Sequence, residues 1–216
     1  MFVRHRMSSP AVTVGPNVPV MEALQIMKEQ NVRRLVVVDN RGRLAGIVSE
    51  KDVLRASPSQ ATTLSIYEVS YLLQRLTVSE IMARDVVTVI EDTPLEEAAR
   101  LMAERHLGGL PVMRGQQVVG IITETDILMG FSEALGAFAA GVRVMVDLPD
   151  EPGAVASVVD IVKDLGGNIA SLSLLRPHDP GRGYLVARIQ GISAEELEAH
   201  LRQGPGKVLD VRVMPG

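Results

Sequence analysis

The sequence predicts an α+β protein in two parts, a pair of βαββα repeats over residues 1–131 and a single βαββαβ domain over residues 141–216. Three observations predict it. The chain matches itself at an offset of 75 residues, which falls to 74 past a shortened turn. Within each copy, short apolar runs alternate with helical spacing. After Gly130 the self-match ends and a new order of strands and helices begins.

The offset brings Val12-Thr13-Val14 onto Val87-Thr88-Val89, Met7 onto Met82, Pro19 onto Pro94 and Glu22-Ala23 onto Glu97-Ala98. Beyond the turn, Gly46-Ile47 meets Gly120-Ile121, Glu50 meets Glu124, Asp52 meets Asp126 and Leu54 meets Leu128. Each copy opens on a short strand, Val12 to Val14 or Val87 to Val89, and continues into a helix with Pro at its first position. Thr93-Pro94-Leu95-Glu96 reads as a capping box. Leu24, Met27 and Val32 recur at helical spacing in copy one, and Ala98, Leu101 and Met102 in copy two. A hairpin follows. In copy one its strands are Leu35 to Val38 and Leu44 to Val48 around Asp39-Asn40-Arg41-Gly42; in copy two they are Leu110 to Met113 and Val118 to Ile122 around Arg114-Gly115. A last short helix starts at Ser49 or Thr123. Such a unit is too small to bury its sheet alone, and the second copy supplies the cover.

The expected boundaries are repeat one at 1–57, a helical insert at 58–76, repeat two at 77–131, a small-residue connector at 132–140 and the last domain at 141–216. The insert follows the break Ser57-Pro58-Ser59-Gln60 and sets Ile66, Val69, Leu73 and Leu76 on one face, which should pack on the repeats. In the last domain, Val142 to Asp147 reads as a strand and Gly153 to Leu165 as a helix stopped by Gly166-Gly167. Strands Asn168 to Leu174 and Tyr184 to Gln190 flank the polar loop Arg176 to Arg182. Ser193-Ala194-Glu195-Glu196 caps a second helix, Gly204-Pro205-Gly206 ends it, and Val208 to Met214 closes as a strand. This order is the ferredoxin-like arrangement.

Composition narrows the function. With 46% apolar and 22% charged residues the chain has globular composition. A net charge of −4 with no basic block argues against nucleic acid or an anionic membrane as a main partner. The absence of cysteine removes disulfides, thiol catalysis and thiolate metal sites. No run approaches a membrane span and no apolar stretch follows Arg4-His5-Arg6, so a cytoplasmic protein is expected.

The residues that carry chemistry are Gly46-Ile47-Val48-Ser49-Glu50-Lys51-Asp52 and Gly120-Ile121-Ile122-Thr123-Glu124-Thr125-Asp126. They resemble the G-h-h-S/T-x-x-D element, with h apolar, of the CBS domain, a module usually found in pairs. The resemblance covers about residues 1 to 131. It implies that Asp52 and Asp126 hold ribose hydroxyls of an adenosyl nucleotide (AMP, ADP, ATP or S-adenosylmethionine) and that Ser49 and Thr123 lie near ribose or phosphate. A carboxylate can accept both ribose protons, and a helix N-terminus offers free N–H groups to an anion. Ser-x-x-Asp at a helix start is equally a capping arrangement, and both readings stand.

Val32-Arg33-Arg34-Leu35-Val36 resembles the family's basic pair, which reaches the phosphate of the nucleotide held by the other repeat. Copy two has Leu107-Gly108-Gly109-Leu110-Pro111 instead. The site on Thr123 and Asp126 should therefore gain Arg33 and Arg34, and the site on Ser49 and Asp52 should not. An arginine fork suits phosphate. Solvated strand-entry charges, and a helix cap at Gly108-Gly109, are the plainer readings of these residues.

Residues 141 to 216 resemble the ACT domain, a regulatory module that commonly binds amino acids at a dimer interface. Asp150-Glu151-Pro152-Gly153 stands where that family has a polar residue before Pro-Gly, and Asn168 where a ligand-contacting Asn lies. The resemblance implies a small ligand held by Asp150, Gly153 and Asn168. The Asp150 carboxylate would repel a ligand carboxylate, and a turn Asp with a strand-start Asn explains the same residues. Two CBS copies, the insert and an ACT domain together resemble the acetoin-utilisation proteins of the AcuB type.

The expected function is a non-catalytic sensor with no obligatory cofactor. His5, His106, His178 and His200 are dispersed and form no metal pair, and no G-x-S-x-G, P-loop or paired catalytic carboxylates occur. CBS pairs and ACT domains both resemble modules that dimerise, so a homodimer is expected, with a sheet edge at Val208 to Met214 free to join a neighbour. A homodimeric scaffold without a ligand is the competing reading.

Overall fold

The computed structural model describes residues 1–56, 75–176 and 181–215. Residues 58–74 of the expected insert, and His178 in the polar loop, lie outside them. The chain divides into two compact units, Met1–Ile127 and Leu128–Gly216.

In the first unit, copy one runs β1 (Thr13–Val14), α1 (Val20–Glu29), β2 (Arg34–Val38), β3 (Leu44–Ser49) and α2 (Glu50–Ala56). After a short α3 (Val78–Ile81), copy two runs β4 (Val89–Ile90), α4 (Leu95–Arg105), β5 (Gly109–Arg114), β6 (Gln117–Thr123) and α5 (Glu124–Ala134). Each copy makes a three-stranded sheet, β1-β2-β3 or β4-β5-β6, whose first pair is parallel and second antiparallel. In the turn of copy one, Gly42 takes φ +73, a left-handed backbone that glycine adopts without a Cβ clash. Asp39 Oδ1 closes that turn by accepting from the N–H groups of Arg41 and Arg43.

The two copies exchange their lead-in segments. Val3 is fully buried in the core of copy two with Leu95, Met102, Leu110 and Ile122. Val78 and Met82 are buried in the core of copy one with Met27, Leu35 and Val48. Ser8 bridges Ile121, and Ala83 bridges Ile47. The expected boundaries at 1–57 and 77–131 therefore do not coincide with packing. Residues 1–8 cover the sheet of copy two, and residues 77–83 cover that of copy one.

The exchange also caps the helices. Pro19 and Pro94 are N-caps, one position earlier than expected, and have no side-chain cap. The first helical N–H groups instead donate to lead-in carbonyls, Val20 to Leu76 and Leu95 to Met1, both at 2.9–3.0 Å. Thr93 forms no capping box, because its Oγ1 accepts from the Ile90 N–H at 3.1 Å.

The motif glycines have the same origin. A Cβ on Gly46 would sit 2.6 Å from Met82 Sδ and 2.8 Å from the Ala83 carbonyl oxygen, and one on Gly120 would sit 2.7 Å from the Ser8 carbonyl oxygen. Only glycine lets the lead-in backbone cross the strand so closely.

The second unit runs β7 (Gly141–Pro149), α6 (Ala154–Asp164), β8 (Asn168–Leu175), β9 (Arg182–Gln190), α7 (Ala194–Leu201) and β10 (Lys207–Met214). Its antiparallel sheet has the order β10-β7-β9-β8, the ferredoxin-like topology. Alternation along β7 buries Val142, Val144, Val146 and Leu148 against Val158, Val162, Leu197 and Leu201 of the helices. Ser193 Oγ caps α7 by accepting from the Glu196 N–H at 3.2 Å. At the end of α6, Gly166 takes φ +73 while the Gly166 and Gly167 N–H groups return to the Lys163 and Val162 carbonyls. Helix α5 extends three residues into the expected connector, to Ala134.

Candidate functional site

Strands β3 and β6 end on the two hydroxyl residues of the repeated motif, and each following helix carries the motif's carboxylate in its first turn. Asp126 Oδ2 accepts from the backbone N–H of Thr123 at 2.8 Å and from its hydroxyl at 2.6 Å. Asp52 Oδ2 accepts from Ser49 through the same two groups at the same distances. The capping arrangement is thus real in both copies, and it uses one oxygen of each carboxylate. Oδ1 of each has no protein partner among the described residues and is left to accept from a ligand hydroxyl. Both carboxylates are half-buried at the mouths of clefts.

The first cleft, about 250 Å³, is lined by Ser8, Pro10 and Val12, by Asn31 through Arg34, and by Ile121, Thr123, Thr125 and Asp126. It joins copy one to copy two. Arg33 Nη2 donates to Thr125 Oγ1 at 3.2 Å, which sets a copy-one guanidinium one residue from Asp126. Apolar Val12, Val32 and Ile121 offer a surface for a flat heterocycle, while the hydroxyls, carboxylate and arginines stand at the polar end.

The second cleft, about 390 Å³, is lined by Ile47, Ser49, Lys51, Asp52 and Arg55 of copy one and by His106, Leu107, Gly108, Gly109 and Glu124 of copy two, with Arg34 between. A smaller hollow of about 130 Å³, lined by Arg33, Arg34, Lys51, Gly108 and Glu124 among others, borders the same residues. Arg34 lines all three.

Here the structure departs from expectation. Arg33 lies at the Asp126 cleft, but Arg34 is not confined to it. A Cβ on Gly108 would fall on the Arg34 guanidinium, and one on Gly109 would lie 3.4 Å from Arg34 Cδ. The side chain therefore lies along Gly108-Gly109, and the Ser49 and Asp52 cleft does have an arginine. Burial pulls the half-buried Arg34 guanidinium below its ordinary pKa, the Glu124 charge opposes that, Arg33 adds to it and Asp52 opposes it. It stays cationic at neutral pH. Gly108-Gly109 is not the helix cap either; that role belongs to His106, at φ +54, while in copy one Gln30 is the cap and Asn31, just after it, takes φ +52.

Sequence reasoning missed Thr125, Lys51, Arg55 and Glu124. Thr125 and Lys51 fill corresponding x positions of the two motifs, a signal that was legible. Arg55 and Glu124 depend on which face of each helix meets the other copy.

In the second unit, Asp150 and Asn168 are not brought together. Asp150 pairs with Arg176 (3.1 Å) past the end of β7, near the end of β8. Asn168 starts β8 and pairs with Gln190 at the opposite end of the sheet. Eight residues of strand at about 3.3 Å each separate the two ends. Gly153, at φ +93, is the N-cap of α6 on the Asp150 side. One chain thus presents Asp150 with Gly153, and Asn168 apart from both. Among the described residues no group of three or more His, Cys, Asp or Glu side chains is placed to hold a metal ion.

The CBS domain model matches residues 3–59 and 78–133, just over half of the chain, and the TTHA0829-like ACT domain model matches residues 140–212. L-aspartate semialdehyde sulfurtransferase of Methanocaldococcus jannaschii is 32% identical over 127 residues, which are 58% of this chain and 22% of that protein. The chain thus spans under a quarter of that relative. Among the similar solved structures are three that contain CBS-type proteins. The CBS domain pair of protein MJ0100, in complex with 5′-methylthioadenosine and S-adenosyl-L-methionine, has a TM-score of 0.52 at 32% identity, covering 61% of this chain and 96% of that one. A putative acetoin utilization protein (AcuB) from Vibrio cholerae has a TM-score of 0.53 at 29% identity, covering 63% and 93%. CBSX2 in complex with AMP has a TM-score of 0.50 at 29% identity, covering 60% and 95%.

Proposed function

The chain belongs to the CBS-domain family and carries a C-terminal ACT domain, and on that premise we propose that it is a non-catalytic regulatory sensor of an adenosyl nucleotide. The ligand's ribose hydroxyls bond Asp126 Oδ1, its adenine lies between Val12, Val32 and Ile121, and its phosphate or equivalent group meets Arg33, Arg34 and Thr123. Ser49 and Asp52 hold the ribose of a ligand in the second cleft, beside Arg34 and Lys51. The observation that carries the reading is the Arg33–Thr125 bond, which sets a copy-one cation beside the copy-two carboxylate. A ligand reaching both bridges the repeats, and its differential affinity for two arrangements is what makes a sensor. The complexes of MJ0100 and CBSX2 with adenosyl ligands support the ligand class.

The same proposal takes the protein as a cytoplasmic homodimer, supported by the exposed Phe131, Leu135 and Phe138, which a partner copy would cover. It takes the ACT domain as a second regulatory module, with Asp150 and Gly153 of one chain and Asn168 of another as the pair that would hold a small ligand such as an amino acid. The likeness to AcuB supports a role in acetoin utilisation or related carbon metabolism, tested by growth on acetoin of a strain lacking the gene.

Thermal unfolding with AMP, ADP, ATP and S-adenosylmethionine, each against a guanine control, tests the central reading. A ligand at 100 times its Kd adds about 2.7 kcal/mol, a shift of several degrees. Asp126→Ala should abolish the shift. A wild-type protein indifferent to every adenosyl ligand would instead favour the scaffold reading.

A further inference from the structure

The ACT-domain sheet carries a charge that its own side chains leave unanswered. Among the described residues Arg188 is the one charged or polar residue that is buried, at 4% exposure, and its Nε and Nη1 have no hydrogen-bond partner. It lies on the sheet face turned away from α6 and α7, because Leu185, Ala187 and Ile189 on the other face of β9 fill the core.

Strand register extends the observation. Arg188 stands opposite Arg143 on β7 and Ser171 on β8, and Arg143 stands opposite Arg212 on β10. A row of three arginines ending in a serine therefore crosses the sheet. Asp210 answers two of them, with Oδ2 to Arg143 Nη1 at 2.7 Å and Oδ1 to Arg212 Nε at 2.9 Å. That leaves an excess of positive charge, and Arg188 is the member with no carboxylate partner among the described residues. Above it lies the backbone of Gly136, where a Cβ would collide with Ser171 Oγ and come within 3.2 Å of Arg188 Cβ. Gly136 takes φ +75, and Gly141, at the start of β7, takes φ +142. The segment between them is a strap that begins over Ser171 and Arg188 and is tied to β9 where Gln190 Nε2 donates to the Ala140 carbonyl at 3.0 Å, with a glycine at each end to absorb a change of backbone angle.

We propose that Arg188, with the hydroxyl of Ser171, forms an oxyanion site beneath the 136–141 strap, taking a carboxylate or phosphate group of a small ligand. A buried guanidinium is stable when an acceptor meets it, and an oxyanion supplies that acceptor with charge of the needed sign. The strap hinges at its glycines to admit the anion and closes over it. This site lies at the other end of the sheet from Asp150 and Gly153 and is bordered by Asn168, which reaches it through Gln190; it stands whether or not those residues bind.

The test uses the full chain and four probes, sodium phosphate, sulfate and acetate against chloride, at equal ionic strength. Thermal unfolding is followed together with the arginine Nε–H resonances. An Arg33→Ala, Arg34→Ala double variant removes any phosphate response of the nucleotide clefts. In that background phosphate or acetate should raise Tm by a few degrees over chloride and shift the Arg188 Nε–H signal, identified by its loss in Arg188→Met. Ser171→Ala should weaken the anion several-fold, and serves alone if Arg188→Met does not fold. Preference for acetate over phosphate and sulfate identifies a carboxylate ligand, and the reverse order a phosphorylated one. The proposal is overturned if no oxyanion exceeds chloride, if Arg188→Met keeps the wild-type response, or if the Arg188 signal follows protein concentration rather than anion, which would assign the acceptor to a second copy of the chain.

Discussion

Asp126 lines the cleft, and its two oxygens differ, since Oδ2 holds the Thr123 N–H and hydroxyl while Oδ1 has no partner among the described residues. Choosing between a helix cap and a ligand group was therefore unnecessary at this position. The cap orients the carboxylate, and the free oxygen is what a ribose would use. Arg33 is exposed and bonded only to Thr125 among the described side chains, so its removal should cost the fold little. Arg33→Ala is expected to weaken a phosphorylated adenine nucleotide by about 1.5–3 kcal/mol, roughly ten- to a hundred-fold, the worth of a hydrogen bond to a charged group. Adenosine, which has no phosphate, should bind variant and wild type alike; titration calorimetry with AMP and adenosine makes the comparison. Both motif aspartates were legible in the sequence because they recur between copies, and both arginines through their resemblance to the family's basic pair. The position of Arg34 was not, since only the meeting of the copies shows that Gly108 vacates the space its guanidinium fills.

At the scale of elements, the exchanged lead-in segments explain several features that the sequence leaves separate. Gly46 and Gly120 look like strand-end glycines of a motif, and they are the points where residues 82–83 and 7–8 cross over the strands. Gly120→Ala or Gly46→Ala should destabilise the protein by about 1–3 kcal/mol, because a backbone carbonyl, that of Ser8 or Ala83, stands in the way at each, joined at Gly46 by Met82 Sδ. Gly15→Ala is the control: nothing lies within 4 Å of a Cβ there and its φ is not positive. It should be neutral or add up to about 1 kcal/mol through the unfolded chain. Urea denaturation of the three variants provides the measurement. The Thr93 capping box misled for a related reason. Local pattern predicts the side chain as the cap, but the Met1 carbonyl, brought from 94 positions away in sequence, takes the first helical N–H of α4 instead.

For the molecule as a whole, many carboxylates are held below their ordinary range. Asp39 is lowered by the N–H of Arg43, Glu80 by that of Thr77, and Glu91, Asp147 and Asp210 chiefly by hydrogen bonds from Arg114, Arg182 and Arg212. Each is lowered in the folded state, so its contribution is complete above the unfolded carboxylate value of about 4 and is lost as pH falls through the lower folded value. Thermal stability should therefore be level from about pH 8 to 5 and decline below about pH 4. Glu80 is exposed and the other four are partly exposed, so 0.5 M salt should flatten part of the decline, and a Tm series over pH at two salt concentrations tests both. By itself the sequence determined the repeat, the βαββα order of each copy, the motif hydroxyls and carboxylates of the clefts and the ferredoxin-like pattern. Those follow from periodicity, turn residues and self-similarity, which act between neighbours along the chain. Tertiary structure alone decided the exchange of lead-in segments, the sharing of Arg34 between two clefts, the separation of Asp150 from Asn168 and the burial of Arg188. Each of these depends on which distant segments compete for the same space, and that competition is resolved only when the cores close.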